Sequence, residues 1–167
     1  MKNSFLKLFL FVSLIIFLFT FLESCKKNQY LRGYYSWQEF SDSCKWKVKI
    51  NEKYKPDSLY LDSLKKINVP MDLKLFLGTW CSDSRKWVPK FMAIQSYLPI
   101  QNLEIIAVDT TKKDPLKLYQ TYQMDSIPLF VFLEAGTNKE IGRLKVKPYK
   151  RKLEKTLYLH LKDKGIR

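Results

Sequence analysis

Cysteine is the residue type with the clearest capacity for chemistry here, and the chain has three: Cys25, Cys44 and Cys81. Cys81 stands in "LFLGTWCSDSRKWVP", Leu75 to Pro89, after an apolar run and before a segment with helical spacing. A sulfur where a strand gives way to a helix meets free N–H groups and the positive end of the helix dipole, and both stabilise a thiolate. Ser84, three residues on, can turn a hydroxyl toward that sulfur; Arg85 and Lys86 add positive charge, and Asp83 opposes them. The pattern marks Cys81 as a candidate nucleophile, with a buried structural cysteine as the alternative. His160 is the sole histidine, and with two available cysteines it gives no metal-ligand spacing. No glycine-rich phosphate loop occurs either. Neither a metal nor a cofactor is expected.

The other two thiols have different settings. Met1 to Lys7 carries Lys2 and Lys7, and Leu8 to Leu22 is an uncharged apolar run, the pattern of a signal peptide. Leu22-Glu23-Ser24-Cys25 resembles a bacterial lipobox, which implies lipidation of Cys25 after cleavage; Glu23 occupies a place that is normally small or apolar. An uncleaved anchor and ordinary cleaved secretion are the alternatives, since Ser4 to Leu22 nearly suffices to span a bilayer. Every version exports the chain, into a compartment where thiols tend to be oxidised. Cys44 lies in the aromatic stretch "YYSWQEFSDSCKWKVK", whose Tyr34, Trp37 and Trp46 read most simply as packing residues.

The formal charge is +14, and removing residues 1–24 takes away Lys2, Lys7 and Glu23 to leave +13. The excess is densest from Lys139 to Arg167, with eleven basic and three acidic residues. Such a face favours anionic lipid, glycan or acidic protein, or is simply solvated. Nucleic acid is not an expected partner, because no recognition module is visible and the chain is exported.

These residues need elements to position them. "LKLFL" (Leu73–Leu77), "LEIIAV" (Leu103–Val108), "LFVFLE" (Leu129–Glu134) and "EIGRLKV" to Val146 read as strands, the last two as a hairpin around "AGTNK". Helices are predicted around Trp37–Phe40, from about Ser58 to Lys66, from Asp83 or Ser84 to about Tyr97, from Asp114 to about Tyr122, and from Lys150 to Asp163. Asp57 or Ser58 and Asp114 serve as N-caps, and Pro115 suits a first helical position. The order β-α-β-α-β-β-α implies a mixed sheet with helices on both faces. At 167 residues the chain holds one such domain.

In this order the motifs resemble the thioredoxin superfamily. Trp80-Cys81 matches the start of its W-C-x-x-C segment, Pro89 its helix-kinking proline, "VDTTKKDP" its strand-to-helix turn, and "YQMDSIPLFVF" the segment that carries its cis-proline. The "G-T-W-C-x-D-S" form particularly resembles thioredoxin-like bacterial lipoproteins. The resemblance implies a thioredoxin-like α/β fold with a mixed four-stranded central sheet flanked by helices. It also implies that Ile127-Pro128 is cis and holds a substrate's extended backbone, and that Trp80 shapes the rim around the thiol. Two departures limit the chemistry: Ser84 replaces the resolving cysteine, and Leu75 stands where thioredoxins bury an acid. Dithiol reduction is lost and monothiol exchange survives. Cys44 is the one candidate for an internal resolving thiol, unless it is a buried free thiol or pairs with another protein.

The expected organisation is a lipoprotein-type signal peptide at 1–24, a tether at 25–33, an N-terminal helical extension at 34–71 and the thioredoxin-like domain at 72–163. The leading expectation is a membrane-anchored envelope protein that performs thiol–disulfide exchange on exported proteins through Cys81. The rival is a redox-inactive thioredoxin-like module that binds an envelope protein or an anionic surface.

Overall fold

A computed structural model describes residues 30–44, 46, 54–110, 117–145 and 152–166. Residues 1–24, expected as a signal peptide, Cys25 and the helix start expected at Asp114-Pro115 lie outside the described residues. Within them the chain runs β1 (Gly33–Tyr35), α1 (Trp37–Ser43), α2 (Ser58–Lys65), β2 (Met71–Leu77) and α3 (Ser82–Ile94). A 3-10 turn (Gln95–Tyr97) leads to β3 (Ile100–Ala107), α4 (Leu118–Thr121), β4 (Leu129–Glu134), β5 (Glu140–Lys145) and α5 (Leu153–Asp163).

Local chemistry accounts for the helix starts. Ser36 caps α1 through a reciprocal pair: its hydroxyl accepts the Glu39 N–H at 3.2 Å, and the Glu39 carboxylate accepts the Ser36 N–H at 2.8 Å. Asp57 caps α2 by accepting the Leu59 N–H at 3.1 Å. The strands form because their apolar residues alternate across two buried faces. Leu73, Leu75 and Leu77 of β2 join Phe130 and Phe132 of β4 in one cluster, whereas Phe76 joins Leu129, Val131 and Leu133 in the other.

The described strands make one sheet in the order β1-β3-β2-β4-β5, parallel between β2 and β3 and antiparallel elsewhere. Its first face packs Phe40 of α1, Leu61 and Leu64 of α2, Trp87 and Phe91 of α3, and Leu157 and Leu161 of α5. Its second face packs Met124 and Ile127, with Tyr122, Trp80 and Cys81 at its margin. This is the thioredoxin-like arrangement, with five strands where four were expected.

The additional strand is β1, in the stretch read as tether and helical extension. Three residues are too few to carry a periodic signal. What orders them is pairing: Gly33, Tyr34 and Tyr35 stand opposite Ala107, Ile106 and Ile105 and complete the outer edge of β3. β3 likewise begins at Ile100, three residues earlier than its apolar run suggests. Its polar start is held from outside the strand, where the Asp72 carboxylate accepts the Asn102 backbone N–H at 3.1 Å and side-chain amide at 2.9 Å.

A latch joins the N-terminal helices to this domain. Glu154 of α5 is fully buried and accepts the Tyr54 hydroxyl at 2.6 Å and the Asp57 N–H at 2.7 Å. Burial, then the bond to Glu154, pushes the Tyr54 phenol well above its ordinary range. A carboxylate removed from water needs such partners, so the latch is specific as well as buried.

Candidate functional site

Parallel β2 and β3 end on the same side of the sheet, and the site lies beyond them. The Val108 N–H donates to Leu77 O at 2.9 Å, keeping the two strand ends together. From Gly78 the chain turns, with the Cys81 N–H donating to Gly78 O at 3.0 Å, and α3 then begins. The turn needs glycine for space. A Cβ on Gly78 would lie 2.7 Å from Trp80 Nε1 and 2.8 Å from Ile127 Cδ1, both within the range where something must shift. Gly78 is a residue that sequence reasoning missed, although a lone glycine between a buried strand and a Trp-Cys pair was the available signal.

Cys81 is the N-cap of α3, with φ −85° and ψ 120°. Its sulfur accepts the Ser84 backbone N–H at 3.5 Å. On its other side the Cys81 thiol donates to the Ile127 carbonyl at 3.4 Å. The Ile127-Pro128 bond is cis, as the resemblance implied. The half-buried sulfur therefore touches one helical N–H and one carbonyl.

Ser84 sits otherwise than its hydroxyl chemistry suggested. Its side chain is fully buried, and its Oγ accepts the Gly78 N–H at 3.3 Å, tying the turn to the first helical turn. The contact with sulfur is made by the Ser84 backbone instead. The physical reason is the N-cap geometry: the N3 amide points back at the capping atom, while here the buried N3 hydroxyl takes the Gly78 N–H instead. Trp80 is half-buried and donates from Nε1 to Val108 O at 3.1 Å, which holds the indole beside the strand end. Leu75, at the place of the family's buried acid, lies fully buried in the first-face cluster.

Pro89 falls inside α3 and is buried with Trp87, Val88 and Phe91. It has no N–H to give the Arg85 carbonyl, and packing carries the helix across that gap. Phe91 meets Phe130 of β4 edge to face with ring centroids 4.8 Å apart, which seats the helix under the thiol.

Cys44 is a free thiol, as is Cys81. It closes α1 and packs against the first-face cluster, whereas Cys81 packs against the second. Burial pushes the Cys44 thiol up, outweighing the Trp46 and Cys44 N–H groups and the charge of Arg85. His160, on α5, lies against Gly142 of β5, and burial pushes its imidazole down. No group of His, Cys, Asp or Glu that could hold a metal ion occurs among the described residues.

An acid at the strand end also escaped the sequence reading. Asp109, directly after Val108, is 2% exposed and forms an ion pair with Arg32, just before β1. A charged residue closing an apolar strand was the visible sign; its partner lies too far away in the chain to be read from spacing.

A family model described as thioredoxin matches residues 28–152. The chain belongs to the thioredoxin family. Among solved structures, this thioredoxin-like chain is similar to a Pseudomonas aeruginosa protein of unknown function, at 19% identity over 78% of this chain and 76% of that one, with a TM-score of 0.46. An HIV epitope-scaffold is 20% identical over 73% of each chain, with a TM-score of 0.44. The thioredoxin NaTrxh from Nicotiana alata is 19% identical over 66% of this chain and 98% of its own, with a TM-score of 0.36. No curated protein matches.

Proposed function

We propose that this thioredoxin-like protein is exported, anchored to the cell envelope by lipid on Cys25, and performs monothiol exchange through Cys81. Its partners on this reading are exported proteins that carry thiols or disulfides. The Cys81 thiolate attacks one sulfur of a partner disulfide; the S–S bond breaks and its other sulfur leaves as a thiolate, giving a mixed disulfide. A second thiolate then attacks the partner's sulfur in that bond and releases Cys81. Ile127 and Pro128 hold the partner's extended backbone by strand addition, and Trp80 forms the rim.

One observation carries the reading: the Cys81 sulfur caps α3, accepts a helical N–H and lies against the residue preceding a cis-proline, with serine at 84. Resolution from outside is favoured because Cys44 packs on the opposite face of the sheet. The basic excess of Lys139–Arg167 adds attraction to anionic lipid or glycan in the envelope. Among the described residues no helix is long and apolar enough to cross a membrane.

The test is capture in cells. Non-reducing gels of acid-quenched cells should show adducts of the wild-type chain that vanish in Cys81→Ser and persist in Cys44→Ser. Adducts that survive Cys81→Ser, or a wild-type lane without any, would refute exchange at this sulfur.

A further inference from the structure

The path by which the chain reaches the sheet bears on which partners Cys81 meets. β1 runs antiparallel to β3, so Tyr30 to Arg32 approach from the end where β3 and β2 finish. That is the end occupied by Cys81. A chain of contacts ties the approach to the site. Arg32 pairs with the buried Asp109, and Asp109 directly follows Val108. The Val108 carbonyl accepts the Trp80 indole N–H at 3.1 Å, and Trp80 directly precedes Cys81. The pair brings Arg32 to the strand end, against a carboxylate that is 2% exposed. The point of entry is thus part of the site's own framework.

Arg32 stands seven positions after Cys25. A chain spans at most ~3.6 Å per residue, so a lipid-bearing Cys25 lies no more than ~25 Å from Arg32. We infer that Cys81 works close to the bilayer surface, and that its partners are cysteines held there, in membrane-spanning or lipid-anchored proteins near their exit from the bilayer. Freely diffusing exported proteins are disfavoured, because the short tether keeps the site's end of the domain toward the lipid. Lys26 and Lys27 add attraction of the tether to anionic headgroups. The inference rests on the proposed lipidation of Cys25 and the proposed thiol exchange, and it narrows the partner class.

The test uses the full lipidated chain reconstituted in vesicles that contain a small fraction of maleimide-headgroup lipid. Modification of the Cys81 peptide is followed by mass spectrometry, beside the same reaction with a water-soluble maleimide. A second chain carries a twenty-residue Gly/Ser insert between Gln29 and Tyr30. The natural tether should give ready modification by the lipid reagent, and the insert should slow it about fivefold or more, as local concentration falls with tether length. The soluble reagent should modify both chains equally. An unchanged rate with the insert would overturn the inference, as would no lipid-reagent reaction in a natural chain that reacts with the soluble one. Failure of the soluble reagent itself would instead bring down the thiol chemistry beneath it, and a chain that washes off the vesicles would bring down the anchor.

Discussion

Two cysteines sit at opposite ends of two helices. Cys44 is the C-cap of α1, and its thiol donates to the Ser41 carbonyl at 3.7 Å. Cys81 is the N-cap of α3, and its sulfur accepts the Ser84 N–H at 3.5 Å. At a helix C-terminus the unsatisfied groups are carbonyls; at an N-terminus they are N–H groups. The same side chain thus closes opposite ends of two helices, and each sulfur also meets the other kind of group: Cys81 the Ile127 carbonyl, Cys44 the Trp46 N–H and its own. Burial pushes Cys44 further toward the inert thiol, even with Arg85 close enough for its charge to oppose this. A cysteine's place in the cap decides more than its presence in the sequence.

The largest expected effect comes from supplying the missing partner at the N-terminal end. Ser84→Cys restores two thiols at the N-cap and N3 positions. It should convert most of the oxidised chain to an internal disulfide between Cys81 and the new thiol, with loss of partner adducts on non-reducing gels. Persistence of partner adducts at wild-type levels would show that release was never limited by serine. A cost in stability accompanies the change, because the Gly78 N–H loses the Ser84 Oγ.

A smaller effect should separate the two thiols by loosening only one. Glu154→Gln keeps the shape of the latch but weakens its charged hydrogen bonds to Tyr54 and Asp57, at about 1–3 kcal/mol. Tyr54 and Cys44 pack against the same first-face cluster. The variant should therefore raise the alkylation rate of Cys44 severalfold and leave that of Cys81 within twofold. Equal acceleration of both would mean that the latch supports the whole domain, and the contrast between the regions would blur.

The smallest effect concerns α5. Burial, and then the charge of Lys164, lower the His160 imidazole from its ordinary 6.5. The folded chain thus binds this proton less readily than the unfolded chain, so stability is complete above about pH 6.5 and erodes as pH falls through the folded value. Melting temperature should drop between neutral pH and about pH 5, and His160→Gln should flatten the upper part of that slope. An identical slope in the variant would assign the acid sensitivity to carboxylates instead.

The contrast also explains what was legible in the sequence. Cys81 could be read because its signals are local: an apolar strand, a Trp-Cys pair, helical spacing and Pro89 stand within fifteen residues of Leu75. The order of elements after Pro70, Asp57 as a helix cap and the cis bond at Ile127-Pro128 were readable for the same reason. Features made by distant pairing were not. β1 exists because β3 offers an edge, Asp109 is held by Arg32, and Glu154 joins segments about a hundred positions apart. Ser84 is the instructive case between these. Its position beside the sulfur was plain, but the direction of its side chain depends on the cap geometry, which turned the hydroxyl to Gly78 and the amide to Cys81.

The most direct measurement is the alkylation of both cysteines in one native sample of the domain, with rates read from the two peptides across neutral pH. Each thiol serves as the control for the other, so concentration and reagent quality cancel. The account predicts that Cys81 reacts about tenfold faster than Cys44 or more at pH 7, as a sulfur at a helix N-cap and a thiol pushed up by burial should. A Cys44 that reacts as fast as Cys81 would contradict it.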